Sequence, residues 1–167
     1  MTLGLSLPAF TQLHVIISLI GIATGFMVIF GMIGGRRFPL LTAIFLITTV
    51  LTNITGFMFP YKGITPGIVI GVLSTLVLIL GIYALYAEHL RGGWRGCYVV
   101  SSVLAQFFNF FVLIVQSFQK IPALKAMAPT QSELPFKIAQ LSALVVFIIL
   151  GVIAYKKFRI ADAGTAI

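Results

Sequence analysis

Six polar side chains in an otherwise greasy chain are the ones suited to chemistry: His14, Asn53, Asn109, Gln116, Gln131 and Glu133. Together they offer an imidazole, a carboxylate and four amides. That set can hydrogen-bond a small molecule, handle a proton, or supply one nitrogen to a metal or haem. It does not spell a catalytic constellation. The sequence has no paired carboxylates, no HExxH, no GxSxG, no P-loop and no CxxC. Of its three acids, Asp162 lies in the tail and Glu88 at the end of an apolar stretch. The one acid–base pair left to consider is His14 with Glu133. No residue is therefore assigned as catalytic or metal-binding, and the six are read as ligand-binding.

His14 has three readings: a packing residue bonded to a neighbouring helix, a proton-handling group, or a ligand to haem. The other histidine, His89, falls at the opposite end of the apolar stretches. One chain then cannot give two histidines to a single haem, which would need His14 from two subunits or a different axial ligand. Haem and quinone are the cofactors to consider at His14.

The elements that position these residues follow from composition. The 167 residues are 60% hydrophobic and only 8% charged, with a mean hydropathy of +1.15. Soluble domains carry about 25% charged residues, so the soluble class is excluded. The net charge of +8 is spread over short gaps, as "GRR" at 35–37, "RGGWR" at 91–95 and "KKFR" at 156–159. Such spacing fits loops flanking membrane spans and not a nucleic-acid stripe. The single cysteine, Cys97, allows no disulfide within the chain. The opening "MTLGLSLPAF" lacks a basic segment and a cleavage site, so it reads as mature protein.

Apolar stretches of about 20 residues predict five membrane-spanning helices near 11–33, 39–59, 66–89, 97–118 and 136–155. All seven prolines fall at span ends or in gaps, and Pro39, Pro66 and Pro135 each open a span. The fold class is thus all-α, a single polytopic bundle over 1–167. The first gap has Arg36 and Arg37, the third Arg91 and Arg95, and the tail Lys156, Lys157 and Arg159, against Lys62 alone in the second. The fourth gap departs from this alternation, with Lys120, Lys125 and Lys137 offset by Glu133. The positive-inside rule then predicts the N-terminus outside and the C-terminus in the cytoplasm. Trp94, Tyr98 and Tyr61 are expected as interfacial anchors.

Helical spacing predicts the inward faces. In span one His14, Ser18, Gly21 and Gly25 share an arc, including the GxxxG of "GIATG". In span three Gly67, Gly71, Ser74 and Gly81 do the same. Spans one and three are therefore expected as close neighbours, or one of them as a dimer surface. Span four carries a polar stripe of Ser102, Gln106, Asn109 and Gln116, with Phe107, Phe108 and Phe111 on the other side toward lipid. Span two contributes Thr48, Thr52 and Thr55, with Asn53 to one side.

In the predicted orientation His14, Asn53, Asn109, Gln116 and Gln140 converge on the outer half of the bundle. The polar loop 119–135 lies above them, a lid with Gln131 and Glu133 and a short helix after Pro122. Its stretch "FQKIPALKAMAPTQSELPFKIAQL" and the earlier "TGFMFP" resemble segments of an uncharacterised family of short multi-span bacterial inner-membrane proteins. The resemblance implies a bacterial inner-membrane location and no activity. The leading expectation is a protein that binds a small molecule or lipid in an outward-facing polar pocket and moves it across the membrane. One alternative is an accessory subunit packing its glycine faces into a larger membrane complex, a redox complex among the candidates. Another is a membrane enzyme using His14. A homo-oligomer is compatible with each.

Overall fold

The computed structural model describes residues 4–60, 63 and 65–159. Lys62 and Tyr61 of the second gap and Asp162 of the tail lie outside the described residues. The described chain is all helical. Its long helices are α1 (Leu7–Ile33), α2 (Pro39–Phe57), α3 (Pro66–Ile82), α4 (Trp94–Lys120) and α6 (Leu134–Lys157), with a short α5 (Pro122–Met127). A π-helical turn, Tyr83–Ala87, prolongs α3. All five long helices, α3 with its π turn included, are long and apolar enough to cross a membrane. At 1.5 Å per residue each matches a hydrocarbon core of roughly 30 Å.

The helix starts explain their own positions. Ser6 caps α1 by accepting from the Ala9 N–H, with Pro8 in the first turn, so the helix begins four residues earlier than hydropathy alone suggests. Thr65 caps α3 in the same way through the Ile68 N–H, directly before Pro66. Pro39 and Pro135 stand in the first turns of α2 and α6. The expected short helix after Pro122 is α5.

α1, α2, α3 and α4 form a closed ring, each packed on the next and α4 back on α1, while α6 lies in the groove between α1 and α4. This corrects two expectations. α1 and α3 are not packed neighbours; they stand across the ring from one another. The glycines expected to join them pack on other helices. A Cβ at Gly21 would meet Thr48 and Thr49 of α2, and one at Gly71 would meet the Phe57 ring at 2.9 Å. Gly81 abuts Ser101 of α4. Of the phenylalanines on the other side of α4, Phe107 is likewise not left to lipid, while Phe108 and Phe111 stay half-buried. Phe107 packs on Phe147 of α6, with ring centroids 5.6 Å apart. Aromatic pairing and burial against α6 outweigh lipid contact there.

The α1–α2 seam is an antiparallel zipper. His14 meets Thr55, Thr52 donates to Ser18, and Gly21 faces Thr48. One turn further, Gly25 lets the Gln106 amide and the Phe45 ring approach the α1 backbone. The large exposed apolar side chains include Leu19, Met27 and Phe30 on α1 and Leu141, Val145 and Ile149 on α6. Such surfaces suit lipid contact and not water. Tyr98 is not an interfacial anchor, because it is buried in the core beside Phe158. Trp94 packs edge-on against Tyr83.

Candidate functional site

A cavity of about 650 Å³ opens in the ring at the end holding the α1 and α3 N-termini and the α2 and α4 C-termini. Its walls are mainly apolar: Leu7, Val15, Phe57, Phe59, Ile68 and Val112 are among them. Four of the six candidate residues line it, namely His14, Asn53, Asn109 and Gln116. α1 brings His14, α2 brings Asn53, and α4 brings both Asn109 and Gln116.

The His14 ring is fixed on two sides. Its Nδ1 lies 2.7 Å from Thr55 Oγ1, and the ring stands nearly perpendicular to the Phe59 ring, with centroids 5.2 Å apart. Thr55 Oγ1 lies within donating distance of two carbonyls, Leu51 O at 2.7 Å and Thr52 O at 3.2 Å. With its proton on either, the hydroxyl accepts from His14, and a neutral ring then carries its proton on Nδ1. Nε2 is left as an acceptor with no partner among the described residues.

Asn53 is held from α3. Its Nδ2 donates to Ser74 Oγ and Thr75 Oγ1, each at 3.1 Å. Both amide protons are used and Oδ1 is left over. Asn109 donates to Thr49 Oγ1 at 3.2 Å, a hydroxyl whose own proton goes to Phe45 O. Gln116 makes no side-chain hydrogen bond among the described residues. The cavity thus presents unpartnered acceptors on His14 and Asn53 and an uncommitted amide on Gln116. His14, Asn53 and Asn109 are held from behind by neighbouring helices, so these three need not rearrange to receive a ligand.

Gln131 and Glu133 do not join them. Gln131 donates from Nε2 to the Val115 carbonyl at 2.8 Å and accepts from Gln119, which pins the loop to α4. Glu133 takes the Thr130 hydroxyl and the Thr130 and Ser132 amides, closing the turn before α6. Short-range satisfaction of turn amides has claimed this carboxylate. It makes no contact with His14 among the hydrogen bonds of the described residues, so the proposed acid–base pair is not formed. Gln140 also stands apart, donating to Phe111 O. The loop borders the cavity only where it begins, through Lys120 and Ile121.

Lys120 is the residue sequence reasoning missed. It is exposed and belongs to the cavity wall, and no acid among the described residues joins it there. Its signal was present: it follows Gln116 by four residues and so continues the stripe of Asn109 and Gln116. Gln106 lies deeper and is fully buried, with Nε2 on the Ile22 carbonyl at 2.8 Å. Its role is to bind α4 to α1.

Comparison of the chain with protein-family models, with curated proteins and with solved structures finds no match.

Proposed function

We propose that this chain is a multi-pass membrane protein that binds an amphipathic small molecule or lipid in the α1–α4 cavity. One observation carries the reading. An apolar chamber of about 650 Å³ holds unpartnered polar groups from three helices and a lysine at its mouth. Ligand cavities run from about 300 to 1,000 Å³, mostly apolar with a few placed polar groups. The preferred ligand has an apolar body, a hydrogen-bond donor for His14 Nε2 or Asn53 Oδ1, and negative charge near Lys120.

The orientation proposed is N-terminus outside, in a bacterial inner membrane. Seven of the eleven basic residues, Arg36, Arg37, Arg91, Arg95, Lys156, Lys157 and Arg159, lie at the end away from the cavity. The positive-inside rule puts that end in the cytoplasm and the cavity outside. Release from such a cavity to either side would make the protein a carrier. The rival reading, an accessory subunit docking through its glycine faces, is less supported, since Gly21, Gly25, Gly71 and Gly81 are filled within the chain.

Native mass spectrometry on protein extracted gently from its own membrane tests the reading. A discrete added mass is expected on the wild-type chain, lost in His14→Ala and in Asn109→Leu while both variants stay folded. A wild-type chain without added mass, or variants that keep it, overturns the assignment.

A further inference from the structure

A second, smaller cavity of about 180 Å³ lies at the opposite, basic end. Its lining combines Arg36 and Arg37 from the α1–α2 turn, His89 from the turn after α3, and the Tyr86 side chain. The floor is apolar, built from Val28, Met32, Leu85 and Phe158. No acid lines it among the described residues. Glu88, next to His89 in sequence, is engaged by the Tyr83 hydroxyl at 3.0 Å. Neither arginine nor His89 makes a side-chain hydrogen bond or ion pair among the described residues, so a cluster of donors stands without an acceptor.

The backbone is bent out of its ordinary course to make this arrangement. α3 ends in the π turn Tyr83–Ala87, which carries Leu85 and Tyr86 into the lining. His89 and Leu90 follow with φ of 49° and 61°, left-handed values that side chains with a Cβ seldom adopt. Leu90 is buried and its amide returns to Ala84 O at 2.9 Å, which locks the turn and leaves His89 on the cavity. Phe158 is held from the far side by Arg95, which donates to the Phe158 and Tyr155 carbonyls. π turns and strained residues gather where a chain builds a site.

We infer that this cavity binds a phosphate group, gripped by Arg36 and Arg37 with the His89 ring as a further donor. Guanidinium forks match phosphate oxygens in pairs. Taking about 30 Å³ per liquid water, the volume is that of several waters. It suits a headgroup and not a whole lipid. Basic pockets between spans hold anionic lipid headgroups by this chemistry, and free phosphate presents the same oxygens. The inference does not depend on what fills the larger cavity.

The test uses the full chain in detergent, with phosphatidylglycerol and inorganic phosphate as separate probes in native mass spectrometry. Wild type is expected to retain one phosphatidylglycerol in preference to phosphatidylcholine if the phosphate is a lipid's. It is expected to bind inorganic phosphate alone if the phosphate is free. Arg36→Gln with Arg37→Gln should weaken the bound probe by about thirtyfold. His89→Asn removes the ring donor and tolerates the left-handed backbone; it should weaken binding by about threefold. Lys156→Gln with Lys157→Gln, at the same end but without Arg36 or Arg37, should cost much less. Binding of neither probe by wild type overturns the inference. So does equal loss in the Lys156/Lys157 and Arg36/Arg37 variants, which would mark unspecific surface charge. Should the double arginine variant fail to fold, an unchanged His89→Asn overturns it by itself.

Discussion

His14 Nδ1 and Thr55 Oγ1 are 2.7 Å apart, and the Leu51 carbonyl stands 2.7 Å from the same hydroxyl to take its proton. One bond therefore does two things. It joins α1 to α2 near the mouth of the bundle, and it fixes which nitrogen of the ring faces the cavity. Nitrogen-15 NMR of the imidazole should find a neutral ring protonated on Nδ1, with Nε2 bare. A ring protonated on Nε2 would instead present a donor to the cavity.

Thr55→Val removes the acceptor that sets this tautomer but leaves the imidazole in place. Ligand retention should fall less than in His14→Ala, where the Nε2 contact itself is lost. A single hydrogen bond of about 1 kcal/mol corresponds to about fivefold in affinity. Titration of the copurifying molecule back onto stripped protein would order the two variants. The opposite order would assign His14 to helix packing alone.

Lys120 should govern the charge preference of the cavity. Lys120→Gln is expected to weaken an anionic amphiphile by about fivefold at low salt, with little effect on a neutral one. Comparing a fatty acid with its methyl ester checks this. Equal losses for both would mean that the lysine stem packs on the ligand and its charge is idle.

Gly25 and Gly67 test how the ring is held open and shut. A Cβ at Gly25 would run into the Gln106 amide and come within 2.8 Å of the Phe45 ring. Gly25→Ala should cost about 1–3 kcal/mol by overpacking, visible as a lower thermal midpoint in detergent. Gly67 lines the cavity, and its added Cβ meets only Thr65 Oγ1 at 3.7 Å. Gly67→Ala should leave stability unchanged within about 0.5 kcal/mol. If both behave alike, the close approach of α4 to α1 is not what Gly25 provides.

Much of this arrangement was legible in the sequence, for physical reasons that also mark the limit. Hydrocarbon imposes long apolar helices, and proline marks their first turns, so five helices could be read from hydropathy and Pro39, Pro66 and Pro135. Helical spacing placed Asn109 and Gln116 on one face, and the structure gives both to one cavity. Spacing says which face is small and polar but not which helix receives it. Gly21 and Gly71 thus suggested an α1–α3 contact, whereas each packs on α2. Depth alone likewise grouped Gln131 and Glu133 with the cavity. It carried no information on the local amides and the α4 carbonyl that those side chains satisfy. The π turn and the left-handed His89 left no periodic signal at all, because they interrupt the period on which such reading depends.

Glu133 predicts how the loop responds to acid. Partial desolvation pushes its carboxyl upward, but bonds from the Thr130 hydroxyl and from the Thr130 and Ser132 amides outweigh this and hold it below its ordinary value of 4.5. A carboxyl with a depressed folded pKa binds its proton more readily in the open loop than in the closed one. Its contribution is therefore complete above the open-loop value and is lost as pH falls through the lower, closed-loop one. Hydrogen exchange at the Thr130 and Ser132 amides should be slow at neutral pH. Relative to the intrinsic rate, it should lose protection as the pH falls below 4.5 and on through the lower, closed-loop value. Glu133→Gln should show the unprotected pattern at every pH, while the cavity keeps its ligand, since Glu133 lines none of it. If ligand retention instead falls together with loop protection, the segment 121–133 covers the cavity in solution, and Glu133 controls access to it through the turn that it closes.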